Sequence, residues 1–178
     1  MQTVKIVVTG PFSAGKTQFI QTISEIDVVE TERRITRPEE RIKARTTVAM
    51  DFGRITVDED LVLYLFGTPG QRRFDFMWEV LSEGMLGFVV LLDSVRPETF
   101  REARDILSTF RSYAPVPYIV AANKQDVTDA WSPEDLRIAL RIPEAVNMVP
   151  CVATERSSVK DVLLELLYSI LDVMDEED

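Results

Sequence analysis

The segment GPFSAGKT at residues 10–17 constrains the fold of this chain more than any other stretch. It directly follows the apolar run VKIVVT and directly precedes the helical pattern QFIQTI. A buried strand, a glycine-bounded turn and a helix N-terminus form the context in which such a loop binds phosphate. Gly10 and Gly15 permit backbone conformations that let main-chain N–H groups converge on phosphate oxygens. The segment therefore predicts a nucleoside triphosphate site, against the alternative of a purely structural turn.

Two side chains of this loop, Lys16 and Thr17, carry chemistry. At these positions a lysine bridges the β- and γ-phosphates as a catalytic group, and a threonine hydroxyl binds Mg²⁺. Other residues of the loop and of the first helical turn complete the predicted phosphate-binding set, namely Gly10, Ser13, Ala14, Gly15 and Gln18.

The composition limits the possible chemistry and partners. The chain has no histidine and one cysteine, so catalysis must use other polar groups or a hard cation such as Mg²⁺, and no intrachain disulfide can form. Its 20 basic and 30 acidic residues give a net charge of −10, which argues against a nucleic-acid or anionic membrane surface. The sequence shows no signal peptide, lipidation motif or membrane-spanning run. We therefore expect a cytoplasmic protein without a direct membrane anchor, and we expect a monomer.

Apolar runs alternate with amphipathic stretches along the chain, which is typical of a parallel sheet covered on both faces. We predict an α/β fold, a single three-layer α/β/α P-loop NTPase domain over residues 1–178 with a six-stranded, mostly parallel sheet. The predicted strands span residues 4–9, 47–56, 61–66, 87–93, 116–122 and 148–152, and the predicted helices residues 16–26, 73–82, 98–113, 133–140 and 159–174. The second and third strands should form one antiparallel hairpin. Residues 27–45 form a long polar loop of a kind that is usually functional or mobile.

The tetrapeptide NKQD at residues 123–126 follows the fifth predicted strand, at the edge where open α/β sheets bind ligands. Asp126 can accept hydrogen bonds from the N1–H and the exocyclic amine of guanine. Adenine lacks both donors and would leave the carboxylate unpaired. Asn123 would tie this loop to the phosphate loop, and the stem of Lys124 would cover the base. The motif therefore predicts guanine specificity, against the alternative of a strand-ending turn.

Four motifs in order carry a resemblance to a known family. The succession of GPFSAGKT, TVAMDF at residues 47–52, TPGQ at residues 68–71 and NKQD resembles the Ras-like small GTPases over nearly the whole chain. The stretches FGTPGQRRF and CVAT are most similar to a bacterial branch related to the gliding-motility switch protein MglA and to the GTPases of actinobacterial conservons. The resemblance implies a GTPase that binds GTP or GDP with Mg²⁺ and hydrolyses GTP to GDP and phosphate.

The same resemblance assigns roles to two switch regions. Residues 27–45 correspond to switch I, and Thr47 matches the threonine that binds Mg²⁺ and the γ-phosphate, with Thr46 as the alternative. In switch II, Gly70 would offer its N–H to the γ-phosphate, and Gln71 would position the attacking water as a catalytic residue. Both threonines could instead merely start an edge strand, and Gln71 could be a solvent-facing glutamine.

A further contact with the base follows from a partial match. The residues VAT at 152–154 fall where the family has its Ser-Ala-Lys loop. This places the N–H of Ala153 against the guanine O6, with Thr154 beside it in the nucleotide-binding set.

Gly67 departs from the family pattern, because most Ras-like proteins carry an aspartate there that supports the Mg²⁺ shell. Three consequences are open. The cation could be held by the two threonines, phosphates and waters alone, another carboxylate such as Asp51 or Asp93 could reach over, or the enzyme could be slow. We expect the first, with weak intrinsic turnover, because Gln71 is retained.

Slow hydrolysis would suit a timer that awaits a stimulating partner. Arg45 and Arg72 lie in the two switches and could stabilise charge at the γ-phosphate, although solvated loop arginines are the simpler interpretation. By resemblance, a regulatory or effector protein, for example of the Roadblock/LC7 type, would bind at the switch surface.

An aromatic cluster follows Gln71 and could present an apolar surface to such a partner. Its members are Phe74, Phe76, Met77 and Trp78, and we expect Phe74 or Trp78 to be partly exposed. The leading hypothesis is a GTP-hydrolysing switch, and the alternative is a binding module that holds nucleotide with little or no turnover.

Overall fold

The computed structural model describes residues 1–28, 50–69 and 76–177 of the chain. The strands are β1 Gln2–Thr9, β2 Asp51–Asp58, β3 Leu61–Gly67, β4 Gly87–Asp93, β5 Tyr118–Asn123 and β6 Met148–Pro150. The helices are α1 Lys16–Ile23, α2 Phe76–Ser82, α3 Phe100–Tyr113, α4 Pro133–Ala139 and α5 Arg156–Glu176. A short 3₁₀ turn at Pro97–Thr99 leads into α3.

The six strands of the described residues form a sheet in the order β2-β3-β1-β4-β5-β6. Every neighbouring pair is parallel except β2 and β3, which form an antiparallel hairpin. The predicted mostly parallel sheet with one hairpin is therefore confirmed. Because β1, β3, β4 and β5 run in the same direction, their carboxyl ends meet at one edge, where open α/β sheets bind ligands.

Two apolar cores cover the two faces of this sheet. On one face, α1 and α5 bury side chains such as Phe19 and Leu166. On the other, α2, α3 and α4 bury side chains such as Phe110 and Leu136. All seven residues of β4, GFVVLLD, are buried, as its continuous apolar run predicts for a central strand covered on both faces. The predicted three-layer architecture is confirmed.

Helix α5 packs through one stripe, as its apolar spacing predicts. The buried residues of the stripe are Val159, Val162, Leu163, Leu166, Leu167 and Ile170. The same spacing predicts that Leu171 and Met174 face the core, which is wrong, since these residues of the last turns are 43% and 39% exposed. Across the described ranges, no helix is long and apolar enough to cross a membrane.

Several element boundaries differ from the prediction for local reasons. Helix α1 ends at Ile23 rather than at residue 26, because Ser24 is extended (φ −64°, ψ 137°) and its hydroxyl bonds to the backbone of Ile26. Strand β2 begins at Asp51, and residues 47–49 lie outside the described residues. Strand β5 begins only after Pro117, since proline has no N–H to donate within a sheet.

The aromatic residues of α2 divide between core and surface. Trp78 is buried, and its Nε1–H donates to the carbonyl oxygen of Pro69 at 3.1 Å. Of the two residues expected to be partly exposed, Phe74 or Trp78, Trp78 is therefore not, because this face of α2 packs against α3. Phe76 is the exposed aromatic, at 68%. Phe74 lies outside the described residues.

Replacing Phe110 with alanine should lower the free energy of unfolding by about 3–5 kcal/mol, because it leaves a cavity among buried rings. The Phe110 ring centroid lies 5.7 Å from those of Trp78 and Phe88. The matched control is Phe76→Ala, whose removal from the surface should change the free energy by less than about 0.5 kcal/mol. Urea unfolding followed by circular dichroism measures both, and equal losses would contradict this packing.

Candidate functional site

The loop between β1 and α1 requires glycine at two positions. Gly10 has φ 147°, and a Cβ there would lie 2.4 Å from the carbonyl oxygen of Leu91 on β4. Gly15 has φ 105°, and a Cβ there would lie 2.4 Å from Nδ2 of Asn123. Both positions combine a backbone conformation that favours glycine with a contact too close for any side chain. The loop is therefore fixed against the carboxyl ends of two neighbouring strands.

Lys16, the first residue of α1, is folded back into this loop. Its Nζ donates to the carbonyl oxygens of Gly10 at 2.5 Å and Pro11 at 2.9 Å, and the side chain is 8% exposed. Burial lowers the pKa of the ammonium group to about 8, against the opposing effect of the negative charges of Glu102 and Asp51. Among the described residues the hydrogen-bond acceptors of this cation are carbonyl oxygens, and a buried cation without a charged acceptor favours the binding of an anion such as phosphate.

Thr17 contacts a carboxylate from another strand. Its Oγ1 donates to Oδ2 of Asp51 at 2.6 Å, and Asp51 is 8% exposed. Asp51 is paired across the hairpin with Gly67, where a Cβ would lie 3.1 Å from the Asp51 Cβ and 3.2 Å from its Oδ2. The missing side chain at Gly67 thus leaves the space that Asp51 occupies. We expected the first of the three alternatives for Gly67, without a supporting carboxylate. The structure favours the second, in which another carboxylate reaches over, and that carboxylate is Asp51.

Thr17 and Asp51 fit a hard cation, because hydroxyl and carboxylate oxygens are the ligands that Mg²⁺ prefers. In the parts of the chain that the structure describes, no group of three or more acidic or cysteine side chains could hold a metal ion. Thr17, supported by Asp51, would therefore hold Mg²⁺ only together with further ligands such as phosphate oxygens and water, as is usual for this cation.

A cavity of about 480 Å³ opens above the loop, within the size range of small-molecule sites. The predicted residues that line it are Ser13, Gly15, Lys16, Thr17 and Gln18. Its other walls are Phe12, Gln21, Asp51, Thr68 and Pro69, which the sequence analysis did not assign to nucleotide binding. Gln21 could have been found, since it lies one helical turn after Thr17 on the same face of α1.

The loop after β5 is tied to the phosphate loop through Asn123. Its Nδ2 donates to the carbonyl oxygen of Ala14 at 2.8 Å, which confirms the predicted contact. Its Oδ1 accepts from the N–H of Ala153 at 2.9 Å. That N–H is therefore paired within the protein, and its contact with a base stays a prediction.

Asp126 and Thr154 are exposed, and neither lines the cavity. No hydrogen bond or ion pair of the Asp126 carboxylate exists within residues 1–28, 50–69 and 76–177, so it is free to accept from a ligand. Lys124 instead is held in the protein, since its Nζ donates to Oδ2 of Asp93 at 2.7 Å and to the carbonyl oxygen of Ser13 at 3.3 Å. Asp93 is therefore not the carboxylate that reaches Thr17.

The remaining predicted site residues lie outside the described residues, and their roles stay predictions. They are Arg45, Thr46, Thr47, Gly70, Gln71 and Arg72.

The chain is similar to several groups of known proteins. The family model described as conserved hypothetical ATP binding protein matches residues 27–173. An uncharacterized protein of Methanocaldococcus jannaschii is 36% identical over 127 residues, which cover 71% of this chain and 73% of that protein. Ras-related protein RABA6b of Arabidopsis thaliana is 24% identical over 179 residues, covering 97% and 73%. ADP-ribosylation factor-like protein 3 of Saccharomyces cerevisiae is 26% identical over 167 residues, covering 89% and 81%.

The affinity for a nucleoside triphosphate should fall as the pH rises through about 8, because of the lowered pKa of Lys16. Below this pKa the ammonium is already charged in the free protein. Above it the free amine is neutral, so binding must take up a proton, and affinity should fall by up to about tenfold per pH unit.

Calorimetry in two buffers of different ionisation enthalpy measures this uptake, which should approach one proton at about pH 9. Lys160→Met, a change in an exposed lysine of α5, should leave the pH dependence unaltered. Binding without proton uptake at that pH would contradict the assignment.

Proposed function

The chain belongs to the family of conserved hypothetical ATP binding proteins and is a small GTPase-like P-loop protein, and we propose that it is a guanine-nucleotide switch that hydrolyses GTP slowly. The protein would recognise guanine, hold Mg²⁺ beside the phosphates and hydrolyse GTP.

The position of Asp126, on the loop that Asn123 ties to the phosphate loop, is the observation that carries the choice of guanine over adenine. It is exposed on a loop whose first residue, Asn123, is hydrogen-bonded to the phosphate loop. Guanine presents two donors to such an acceptor and adenine presents none in that arrangement, so adenine would leave the carboxylate desolvated and unpaired. The family description names ATP for the family as a whole. We give more weight to the residues of this chain, which offer guanine a complementary acceptor.

The buried Lys16 and the Thr17–Asp51 pair support phosphate and Mg²⁺ binding. Mg²⁺, when bound, supplies charge stabilisation on the phosphate oxygens. Lys16 would turn its ammonium from the loop carbonyls towards the phosphates. The Thr17 hydroxyl donates a hydrogen bond to Asp51, which leaves the lone pairs of the Thr17 oxygen for the cation. Asp51 would orient this hydroxyl, just as carboxylates near other metal sites orient the side chains that bind the metal.

Hydrolysis of GTP would depend on Gln71, which would position the attacking water. Thr47 would complete the cation site, and the N–H of Gly70 would donate to the γ-phosphate. We propose that the intrinsic rate of GTP hydrolysis is slow and that a regulator, of the Roadblock/LC7 type or similar, raises it by binding at the switch surface. We further propose that the protein is a cytoplasmic GTPase of the bacterial MglA-related branch. The second candidate is a binding module without useful turnover. It is favoured by Gly67, because the usual aspartate is absent from β3.

The base assignment predicts that the wild-type protein binds GTP at least about a thousandfold more tightly than ATP. Asp126→Asn should weaken GTP binding by about a hundredfold or more, because it removes the charged acceptor. Asp129→Asn, in the same exposed loop, is the matched control and should change little. Calorimetry with each nucleotide measures these affinities, and unchanged GTP affinity in Asp126→Asn would refute the choice of guanine.

Phosphate release from GTP and Mg²⁺ under multiple turnover distinguishes a GTP-hydrolysing switch from a binding module. Gln71→Ala should release phosphate at about a tenth of the wild-type rate or less, because it removes the side chain that positions the water. If the wild-type protein released no more phosphate than this variant, with or without a partner, the switch hypothesis would be rejected in favour of the binding module.

Asp51→Asn should raise the Mg²⁺ concentration needed for half-maximal nucleotide retention by about 10- to 100-fold, since it weakens the support of Thr17. Nucleotide binding in excess chelator should change much less. Asp58→Asn, at the exposed far end of the same strand, is the control. Equal Mg²⁺ requirements in the wild type and Asp51→Asn would exclude this role.

A further inference from the structure

A fully buried carboxylate lies at the end of β4, outside the phosphate cavity. Asp93 is 0% exposed. Its Oδ1 accepts from the N–H of Val95 at 3.1 Å, and its Oδ2 accepts from Nζ of Lys124 at 2.7 Å. A buried carboxylate opposes folding unless it is paired and hydrogen-bonded, and an apolar side chain of similar size would avoid that cost. The amide oxygen of an asparagine could accept the Val95 N–H equally well, so the local fold gives no reason for a negative charge at this position.

The partner of this carboxylate belongs to the proposed base site. Lys124 has φ 66°, a left-handed conformation that is uncommon for a residue other than glycine. Its ammonium lies between Asp93 and the carbonyl oxygen of Ser13, and its side chain remains about one-third exposed, at 32%. The ammonium thus connects the buried end of β4 with the phosphate loop.

The end of β4 supports this loop at more than one point. Asp93 is the sheet partner of Asn123, and the N–H of Ser94 donates to the carbonyl oxygen of Asn123 at 3.3 Å. The Ser94 hydroxyl accepts from Nε2 of Gln125 at 2.9 Å. The residues on both sides of Lys124 are therefore held by the backbone and side chain of Ser94, whereas the ammonium of Lys124 has Asp93 as its charged partner.

We propose that Asp93 is a positioning residue for the nucleotide: by anchoring the Lys124 ammonium against the phosphate loop, it holds the lysine stem where it covers the guanine base and slows nucleotide release. This role rests on the proposed function. Asp93 would thereby control how long the nucleotide stays bound, although it does not line the cavity above the phosphate loop.

A double-mutant cycle on the full chain tests the proposal through the dissociation rate of a fluorescent GDP analogue. Asp93→Asn should raise the rate about 10- to 100-fold, because Lys124 loses its charged acceptor. Lys124→Met should raise it at least as much. In the Lys124→Met background, adding Asp93→Asn should not raise the rate further. Asp161→Asn, on the exposed face of α5, should leave the rate unchanged.

Additive effects in the cycle would overturn the proposal, because they would mean that Asp93 acts without Lys124. GDP binding by the wild-type protein with equal release from Asp93→Asn would overturn this role alone. Absence of GDP binding by the wild-type protein would overturn the proposed function and this role with it.

A second readout does not depend on nucleotide or on the Lys124→Met variant being folded. Limited acetylation of the nucleotide-free protein, quantified by peptide mass spectrometry, should modify Lys124 several-fold faster in Asp93→Asn than in the wild type. Acetylation of Lys160 serves as the internal reference. Thermal unfolding shows which variants are folded, and equal Lys124 reactivity in folded wild type and Asp93→Asn would overturn the anchoring.

Discussion

The side chain of Asn123 joins the three segments on which the site depends. Its amide nitrogen donates to Ala14 in the phosphate loop, and its amide oxygen accepts from Ala153 after β6. Because the side chain is buried, loss of either bond would leave a polar group without a partner and without water. Gly15 makes the contact possible, since no Cβ could fit beside the Asn123 amide. One amide thus sets the position of the phosphate loop relative to both loops near the base.

The carboxylate beside Thr17 comes from Asp51 on β2 and not from position 67 on β3, where most Ras-like proteins carry an aspartate. Asp51 and Gly67 are direct partners in the β2–β3 hairpin, so a side chain from either strand can occupy the space next to Thr17. Two carboxylates there would crowd and repel each other. Glycine at one position and aspartate at the other leave one carboxylate beside the hydroxyl, and both kinds of oxygen suit a divalent cation.

Features that depend on short motifs and apolar runs could be predicted from the sequence, whereas contacts that depend on register or on helix orientation could not. The strands followed from apolar runs, and the contact of Asn123 with the phosphate loop followed from two motifs whose order along an α/β sheet is informative. The Thr17–Asp51 bond joins residues 34 positions apart and depends on hairpin register, so it remained one alternative among three. The burial of Trp78 depends on which face of α2 meets α3, and a short helix with apolar residues on several faces does not specify that.

The position of Asp51 depends on that register, because a slip of one residue would turn its side chain to the opposite face of the sheet. β2 is an edge strand with β3 as its only neighbour in the sheet of the described residues. The segment after α1 supports its outer side. Ser24 accepts from the N–H of Arg54, and the Glu25 carboxylate accepts from the N–H and the hydroxyl of Thr56. The helix that begins with the phosphate-binding lysine therefore leads, at its other end, into the contacts that keep the supporting carboxylate in place.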